Sequence, residues 1–232
     1  MLATIPPPRR SPALPLTVIY TNLNPGKALI WRIMHRDNLD WVLDNGLHCA
    51  SGPVKSPNWV SIGSAELIDR RAGHIVQCPP GGPLSDYVPF YFTPFSVMLA
   101  NIHSGRNGIV RRPNREIVIL VSSLRRVEEL GLAFVFTDKH AYFRWTRCYT
   151  DLNCLDQIDW PLLQRRDFKR DPDDPDKLAR YQAEALVHRH VPLHALLGLV
   201  TSTHSQRDEI ALKIARRGLD LPVYARPDWY FS

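Results

Sequence analysis

The stretch GGPLSDYVPFYFTPFSVML, residues 81–99, decides how the rest of the chain is interpreted. Four of the six residues at 87–92 are aromatic, a composition typical of a short buried strand. Ser96 follows, and a serine hydroxyl that can accept a backbone hydrogen bond predicts the start of a helix. We therefore expect a turn, a strand and a capped helix, whose rings either pack in the core or stack on a flat ligand ring.

Short strands and short helices are predicted on both sides of this stretch. The strands are expected at 28–34, 116–123, 132–138, 183–190, 196–203 and 222–231. The helices are expected at 35–47, 64–73, after Ser96, and at 124–131, 139–152 and 205–217. These elements follow no regular β-α-β rhythm, and no Gly-rich phosphate loop is present, so the pattern favours the α+β class over a doubly wound parallel sheet.

The start of the chain and its apolar runs predict the domain organisation. The proline-rich N-terminus predicts an extended lead-in over residues 1–27, and no apolar segment follows that would make it a signal peptide. We expect a single domain over 28–232. The longest apolar runs, such as IVILV at 117–121, are far too short to span a bilayer. The sequence therefore predicts a soluble, cytoplasmic protein without a membrane partner.

Charge and cysteine content restrict the partners. The formal net charge of +6 permits a phosphate-bearing partner. The most basic region, 106–126, is either a phosphate-contacting patch or a solvated loop. No C-x-x-C pair occurs among Cys49, Cys78, Cys148 and Cys154. We therefore predict no zinc site and four free thiols, which suit a reducing compartment.

Glu184 is an unusual residue in an otherwise apolar predicted strand. In ARYQAEALVHRHVP, residues 179–192, alternation places Glu184, Leu186, His188 and His190 on one face. This polar face either lines a cleft or faces solvent, and the pattern alone leaves both interpretations open. No carboxylate or cysteine motif accompanies the two histidines, so we predict no metal site here.

Two arginines at the end of the predicted helix SAELIDRRAG, residues 64–73, also allow two interpretations. Cations suit the C-terminal end of a helix dipole, so Arg70 and Arg71 fit an ordinary solvated face. The helix also follows a loop at 49–63 that is rich in Ser, Gly and Pro, and such loops often close over ligands. The helix pattern does not distinguish the two.

Taken together, four stretches resemble the DarT family of DNA ADP-ribosyltransferase toxins. LIWRIMHRDNLDWVLDNGL (29–47) resembles the first NAD-binding motif of the family, and SIGSAELIDRRAG (61–73) resembles the second, which ends in paired arginines. GGPLSDYVPFYFTPFSVML (81–99) is close to the most distinctive run of the family. RYQAEALVHRHVP (180–192) resembles the segment that carries the catalytic glutamate. The resemblance extends from about residue 28 to the end of the chain.

The resemblance implies a fold and a reaction. The implied fold is an ADP-ribosyltransferase-like split, twisted β-core surrounded by short helices, with NAD in the cleft. The implied reaction transfers ADP-ribose from NAD, a co-substrate that needs no metal, to a base in single-stranded DNA and releases nicotinamide. The subgroup with this aromatic run modifies thymine.

The resemblance also implies which residues act. Glu184 takes the position of the catalytic glutamate, and Arg71 takes that of the arginine that contacts NAD and assists deprotonation of the base. Residues 54–73 correspond to the NAD-binding element, and residues from about 140 to 184 to the loop that presents DNA. The residues implied at the NAD site are Arg32, Ile33, Met34, His35, Asn38, Trp41, Cys49, Arg71 and Tyr91.

The implied chemistry is physically coherent. Breaking the bond to nicotinamide builds positive charge on the ribose, and a fixed carboxylate such as Glu184 stabilises that charge. Arginine is ordinarily always protonated, so we expect Arg71 to assist electrostatically rather than as a proton acceptor. The target base must be unpaired, which explains a preference for single strands.

The resemblance also implies partners, and a few positions differ from the family pattern. The resemblance implies a monomeric toxin that blocks replication and a cognate macrodomain antitoxin. Phe95 and Val97 stand where the family commonly has Arg and Pro, which predicts altered DNA contacts, and Arg32 stands where many members have His. Two alternatives stay open: an ADP-ribosyltransferase that acts on RNA or protein, and a non-catalytic nucleic-acid-binding module.

Overall fold

The computed structural model describes residues 20–232. Residues 1–19, most of the predicted proline-rich lead-in, lie outside the described residues. Residues 20–27 consist mainly of turns, and Leu23 is buried in the main core. The backbone N–H of Tyr20 donates to the carbonyl of Gln164 over 3.1 Å, which attaches the described start of the chain to the domain.

Short strands and helices make up residues 20–232. The strands are β1 (Leu29–His35), β2 (Leu47–His48), β3 (Tyr87–Tyr91), β4 (Ile117–Ser123), β5 (Phe134–Thr137), β6 (Cys148–Tyr149), β7 (Glu184–His188), β8 (His190–Val191), β9 (Gly198–Thr201) and β10 (Val223–Ala225). The helices are α1 (Leu39–Asn45), α2 (Ala65–Ala72), α3 (Val97–Ser104), α4 (Leu124–Glu129), α5 (Trp160–Gln164), α6 (Lys177–Tyr181) and α7 (His204–Arg216). None of these helices is long and apolar enough to cross a bilayer.

Eight strands form one sheet in the order β10-β9-β4-β1-β3-β7-β5-β6. Only β9 and β10 run parallel, and the other neighbours are antiparallel. Strands β2 and β8 form a small second sheet. The predicted α+β class is confirmed, because the helices are inserted between strands that pair largely antiparallel.

The large sheet is split between β1 and β3. Strand β1 pairs with β4 from Leu29 to His35, but it pairs with β3 only where Trp31 faces Tyr91. Beyond that position the two strands diverge, and their edges border an opening rather than a ladder. This opening is the split β-core that the resemblance implied.

The predicted helix caps are present. Ser96 Oγ accepts a hydrogen bond from the backbone N–H of Leu99 (3.1 Å), and Ser64 Oγ accepts one from that of Leu67 (3.3 Å). Gly46 ends α1 with φ = +74°, a backbone conformation that side chains with a Cβ rarely adopt. Local sequence signals therefore place α1, α2 and α3 correctly.

The helix predicted at 139–152 is wrong, because this segment forms turns that lead into β6. Asp138 Oδ1 accepts a hydrogen bond from the backbone N–H of Arg147 (2.9 Å), and Thr146 Oγ1 donates to the carbonyl of His140 (2.8 Å). Such short polar side chains offer the backbone an alternative to helical hydrogen bonds.

The strand predicted at 183–190 is interrupted at Arg189, which has φ = +63°. The interruption ends β7 at His188 and moves His190 into β8, where it pairs with His48 of β2. His190 therefore does not share the face of Glu184, because the period-two alternation is lost at the break.

The prediction of four free thiols is wrong as well. Cys78 and Cys148 form a disulfide, whereas Cys49 and Cys154 are free. The disulfide joins the segment that follows α2 to β6, at one edge of the large sheet. The thiol count therefore gives no support for a reducing compartment.

Candidate active site

A cleft of about 530 Å³ opens at the split of the sheet. Its volume lies in the range of small-molecule sites. Its positive charge comes from Arg32, Lys55 and Arg71, and no Asp or Glu of residues 20–232 lines it. Such a surface favours a phosphate-bearing ligand. Eight of the nine residues predicted at the NAD site line this cleft: Arg32, Ile33, Met34, Asn38, Trp41, Cys49, Arg71 and Tyr91.

The ninth, His35, is buried beside the cleft and does not line it. Its Nε2 lies 3.4 Å from Glu116 Oε2, and its Nδ1 accepts a hydrogen bond from the backbone N–H of Asp37 (3.2 Å). Both ring nitrogens therefore have partners in the protein, and His35 shapes the turn at the end of β1.

Arg71 lines the inner end of the cleft and meets Glu184, which lies directly behind the lining. Glu184 opens β7 opposite Tyr91 of β3, and only 1% of its side chain is exposed. Arg71 comes from the last turn of α2, and its Nη2 lies 2.6 Å from Glu184 Oε2. The other carboxylate oxygen, Oε1, accepts a hydrogen bond from the backbone N–H of Ala141 (3.0 Å). The structure thus brings together the two residues predicted to be catalytic.

Burial and charge act in opposite directions on this pair. Burial alone would raise the pKa of Glu184, but the nearby Arg71, His140 and the Ala141 N–H hold it below its ordinary value. Burial would likewise lower the pKa of Arg71, but the Glu184 carboxylate outweighs it and raises that pKa. Both groups therefore stay charged at neutral pH, and Arg71 retains its proton more firmly than a free arginine.

Arg32 is the second arginine of the cleft, and its surroundings differ from those of Arg71. Its Nη1 donates to the carbonyl of Pro89 (2.8 Å), while its buried Nε has no partner among the described residues. Burial lowers the pKa of Arg32 to about 10, partly offset by Tyr91. Burial also raises the pKa of Tyr91 to about 12, so its hydroxyl stays neutral.

The outer wall of the cleft, residues 48–72, is held by specific polar contacts. The buried amide of Asn38 binds Val60 twice, by donating to its carbonyl (2.9 Å) and accepting from its N–H (2.8 Å). Trp59 of this wall contacts Trp41 edge to face, with ring centroids 5.9 Å apart. Helix α2 has no buried residue of its own. Asn38 therefore positions the outer wall, with both ends of its amide already bound.

His140 is a cleft residue that the sequence patterns did not single out. It lines the cleft, and its Nδ1 lies 3.6 Å from Glu184 Oε1. Burial lowers the pKa of His140, although Glu184 partly counteracts this, so the imidazole is neutral at pH 7. The only sequence signal was its place in FVFTDKHA (134–141), a stretch that fits the family but carries no recognised motif chemistry.

Phe95, one of the two departures from the family pattern, is fully buried. The guanidinium of Arg166 lies 4.1 Å from the centroid of its ring, and the ring of Tyr20 lies 4.4 Å away. A side chain in this position cannot touch a DNA strand. The expected change in DNA contacts therefore cannot come from Phe95 itself.

The two histidines after Glu184, His188 and His190, lie on different strands. Within residues 20–232, no group of three or more His, Cys, Asp or Glu side chains is arranged to hold a metal ion. The His190 ring stacks on His48 at 4.2 Å, and the Nε2 atoms of both rings lie close to the carbonyl of Asn45. His190 and His48 therefore contact each other and the C-terminal end of α1.

A split, largely antiparallel sheet with a positive cleft and a buried Glu-Arg pair is the arrangement expected from the resemblance to ADP-ribosyltransferases. The chain belongs to the DarT family: residues 31–231 match the family described as "ssDNA thymidine ADP-ribosyltransferase, DarT". It is thus an NAD-dependent DNA ADP-ribosyltransferase, the first of the functions considered from the sequence. This assignment disfavours a non-catalytic module and acceptors other than DNA.

Relatives and solved structures agree with this assignment. The chain is 60% identical over 211 residues to a DNA ADP-ribosyl transferase of Escherichia coli O127:H6 (strain E2348/69 / EPEC), covering 91% of this chain and 97% of that protein. It is similar to Thermus sp. 2.9 DarT in complex with ADP-ribosylated ssDNA, with a TM-score of 0.79, 32% identity and coverage of 89% and 97%. For Thermus sp. 2.9 DarT in complex with NAD+, the TM-score is 0.76 at 32% identity, with coverage of 88% and 98%.

Proposed function

We propose that the chain transfers ADP-ribose from NAD+ to thymidine in single-stranded DNA with Glu184 and Arg71 at the reaction centre. The observation that carries the proposal is the 2.6 Å pair of these two side chains, 1% and 16% exposed, in which Arg71 lines the positive cleft and Glu184 lies directly behind it. Buried, perturbed charges at such a place are typical of reaction centres.

The residues of the cleft suit NAD+ as substrate. The buried Nε of Arg32 needs an acceptor, and an anionic group of the substrate would supply one. Lys55 and Arg71 add positive charge for a diphosphate, and the rings of Trp41 and Trp59 offer surfaces for flat heterocycles. We assign Ile33, Met34 and Tyr91 to the inner wall of this subsite.

Glu184 acts on the ribose as its bond to nicotinamide breaks. The bonding electrons leave with nicotinamide, and the ribose carbon becomes positive. An ionised carboxylate already fixed in a buried site stabilises that charge without reorganisation. The lowered pKa of Glu184 keeps it ionised, and the hydrogen bond from Ala141 keeps it in place.

The thymine ring nitrogen that forms the new bond to the ribose carbon has to release its proton. Arg71 cannot receive it, because the Glu184 carboxylate raises the pKa of Arg71 and keeps its guanidinium charged. We assign the proton to solvent water, because His140 Nδ1 already accepts a hydrogen bond from the backbone N–H of Tyr142 (3.3 Å) and the other ring nitrogen of the neutral imidazole carries a hydrogen. Arg71 then contributes positive charge, which favours the deprotonated base electrostatically.

We further propose the biological setting that the resemblance implied. The chain is a monomeric toxin that acts in the cytoplasm, blocks replication and is reversed by a macrodomain antitoxin. The chemistry supports this setting, because a bulky ADP-ribose on a base of an unpaired strand would obstruct copying of that strand.

The test is incubation with NAD+ and a panel of single-stranded oligonucleotides that covers all short contexts, read by mass spectrometry. We expect one added ADP-ribose on thymidine-containing strands and none on matched strands without thymidine. Glu184→Gln should lower the rate by roughly 10²–10³-fold or more. Glu66→Gln, which removes an exposed carboxylate paired with Arg70, is the matched control. An unmodified panel, or a fully active Glu184→Gln variant, would refute the proposal.

A further inference from the structure

Two aromatic rings lie on the surface next to the reaction centre without packing in the core. Trp145 is 59% exposed, and its ring stacks on that of Phe143 with centroids 5.0 Å apart and planes within 6°. Phe143 in turn lies 5.4 Å from the ring of His140, and His140 Nδ1 lies 3.6 Å from Glu184. A row of rings therefore leads from the buried carboxylate to the solvent.

The loop that carries these rings is firmly held. The backbone N–H of His140 donates to the carbonyl of Ala179 (3.0 Å), and that of Ala141 donates to Glu184 (3.0 Å). At the other end of the loop, Cys148 is bonded to Cys78. The backbone that carries Trp145 is thus fixed on both sides of that residue, which lowers the entropic cost of binding a partner.

Positive charge flanks the rings. Arg144 and Arg147 are both exposed, and neither pairs with a carboxylate among residues 20–232. Arg144 also lines a cavity of about 170 Å³ together with Phe143 and Ala141. Flat rings interleaved with cations are the combination by which proteins bind unpaired strands, with bases stacked on the rings and phosphates beside the cations.

We infer that Phe143 and Trp145 form a stacking platform for the base next to the target thymidine, with Arg144 and Arg147 on the adjoining phosphates. This inference rests on the proposed reaction centre, since the row of rings starts at Glu184. The platform fixes the register of the strand relative to the reaction centre, and because every base can stack on a ring, it accepts any base at that position.

The experiment compares Trp145→Ala with wild type by fluorescence anisotropy on a single-stranded oligonucleotide without NAD+, and by the KM for DNA and for NAD+ in the full reaction. Stacking of one base on an aromatic ring corresponds to roughly 5- to 100-fold in affinity. We expect a loss of that size in DNA affinity and in the KM for DNA, with the KM for NAD+ unchanged. Trp145→Phe should recover most of it, and Tyr224→Ala, a 55% exposed ring at the opposite edge of the sheet, should change nothing.

A series of oligonucleotides with one abasic position locates the stacked base. In the wild type, an abasic site beside the target should weaken binding by a similar factor, whereas in Trp145→Ala the same abasic site should cost nothing more. Unchanged DNA affinity in Trp145→Ala, or an undiminished abasic penalty, would overturn the platform and leave this surface to a protein partner. Failure of the proposed function would differ, because wild type would then leave every oligonucleotide unmodified.

Discussion

The two walls of the cleft are built in different ways. The inner wall consists of residues of β1 and β3, with Glu184 of the neighbouring strand β7 directly behind it, and the sheet keeps Met34 and Glu184 buried, at 2% and 1% exposure. The outer wall, residues 48–72, contains a helix without a buried residue, and its Leu67 and Ile68 are 38% and 45% exposed. The carboxylate proposed to act on the ribose is thus held by the sheet, whereas its partner Arg71 comes from the less buried outer wall.

A few contacts join the two walls, and these contacts determine how far they act as one unit. The Arg71–Glu184 pair connects the end of α2 to β7. Asn38, in the turn that directly follows β1, connects that strand to Val60 of the outer wall. Just past α2, Cys78 connects the chain to β6. Breaking these connections one at a time separates the contribution of each wall.

The largest effect on stability is expected from Arg71→Met. It leaves the Glu184 carboxylate buried without its cation, and removal of one partner of a buried pair costs about 3–5 kcal/mol. Denaturant unfolding at pH 7 measures this loss. The matched control is Arg70→Met, since Arg70 is 63% exposed and pairs with the exposed Glu66, so its loss should stay within about 0.5 kcal/mol. Equal losses in the two variants would show that the pair does not couple the walls.

The second-largest effect on stability is expected from removal of the Cys78–Cys148 disulfide. Cys78 and Cys148 are 70 residues apart, and the lost entropy of the unfolded chain predicts a stabilisation of about 4 kcal/mol for a loop of that length. Disulfides typically contribute about 2–4 kcal/mol. We expect Cys78→Ser to lower the free energy of unfolding by this amount under oxidising conditions and to have little effect with a reductant present. Cys154→Ser, which removes a free thiol, is the control. A variant as stable as wild type without reductant would contradict the bond.

Features that depend on local sequence patterns were predicted correctly, whereas features that depend on contacts between distant parts of the chain were not. The strands of the inner wall have apolar runs, and α2 and α3 have serine caps, so local patterns located them. The turns at 138–147 depend on Asp138 and Thr146 binding distant backbone atoms, which no local period reveals. The bond between Cys78 and Cys148 and the place of His140 beside Glu184 are likewise properties of the folded chain. Only the family resemblance anticipated that Arg71 and Glu184 meet.

A smaller effect is expected from pH. The folded-state pKa of Glu184 lies below its ordinary value of 4.5, so the unfolded chain binds its proton first as the pH falls. The Arg71–Glu184 pair therefore makes its full contribution to the free energy of unfolding above about pH 4.5. This contribution is lost as the pH falls through the folded-state pKa of Glu184, by at most about 1.4 kcal/mol per pH unit. The difference in unfolding free energy between wild type and Glu184→Gln, followed from pH 6 to 3, should shift in favour of the variant as the pH falls. Curves that stay parallel would contradict the charge assignment.

The smallest effect on stability is expected on the outer wall, from Leu67→Ala. Leu67 is 38% exposed and lines the cleft, so its truncation should change the free energy of unfolding by no more than about 0.5 kcal/mol. Leu120→Ala, the same change at a fully buried position of β4, should cost about 2–5 kcal/mol. NAD+ bound in the cleft as proposed would cover Leu67, and loss of about 1 kcal/mol of apolar contact should then raise the KM for NAD+ roughly fivefold. Denaturant unfolding and steady-state kinetics on both variants test this expectation. A Leu67→Ala variant that is destabilised but has an unchanged KM for NAD+ would place this leucine in the core rather than on a ligand-binding wall.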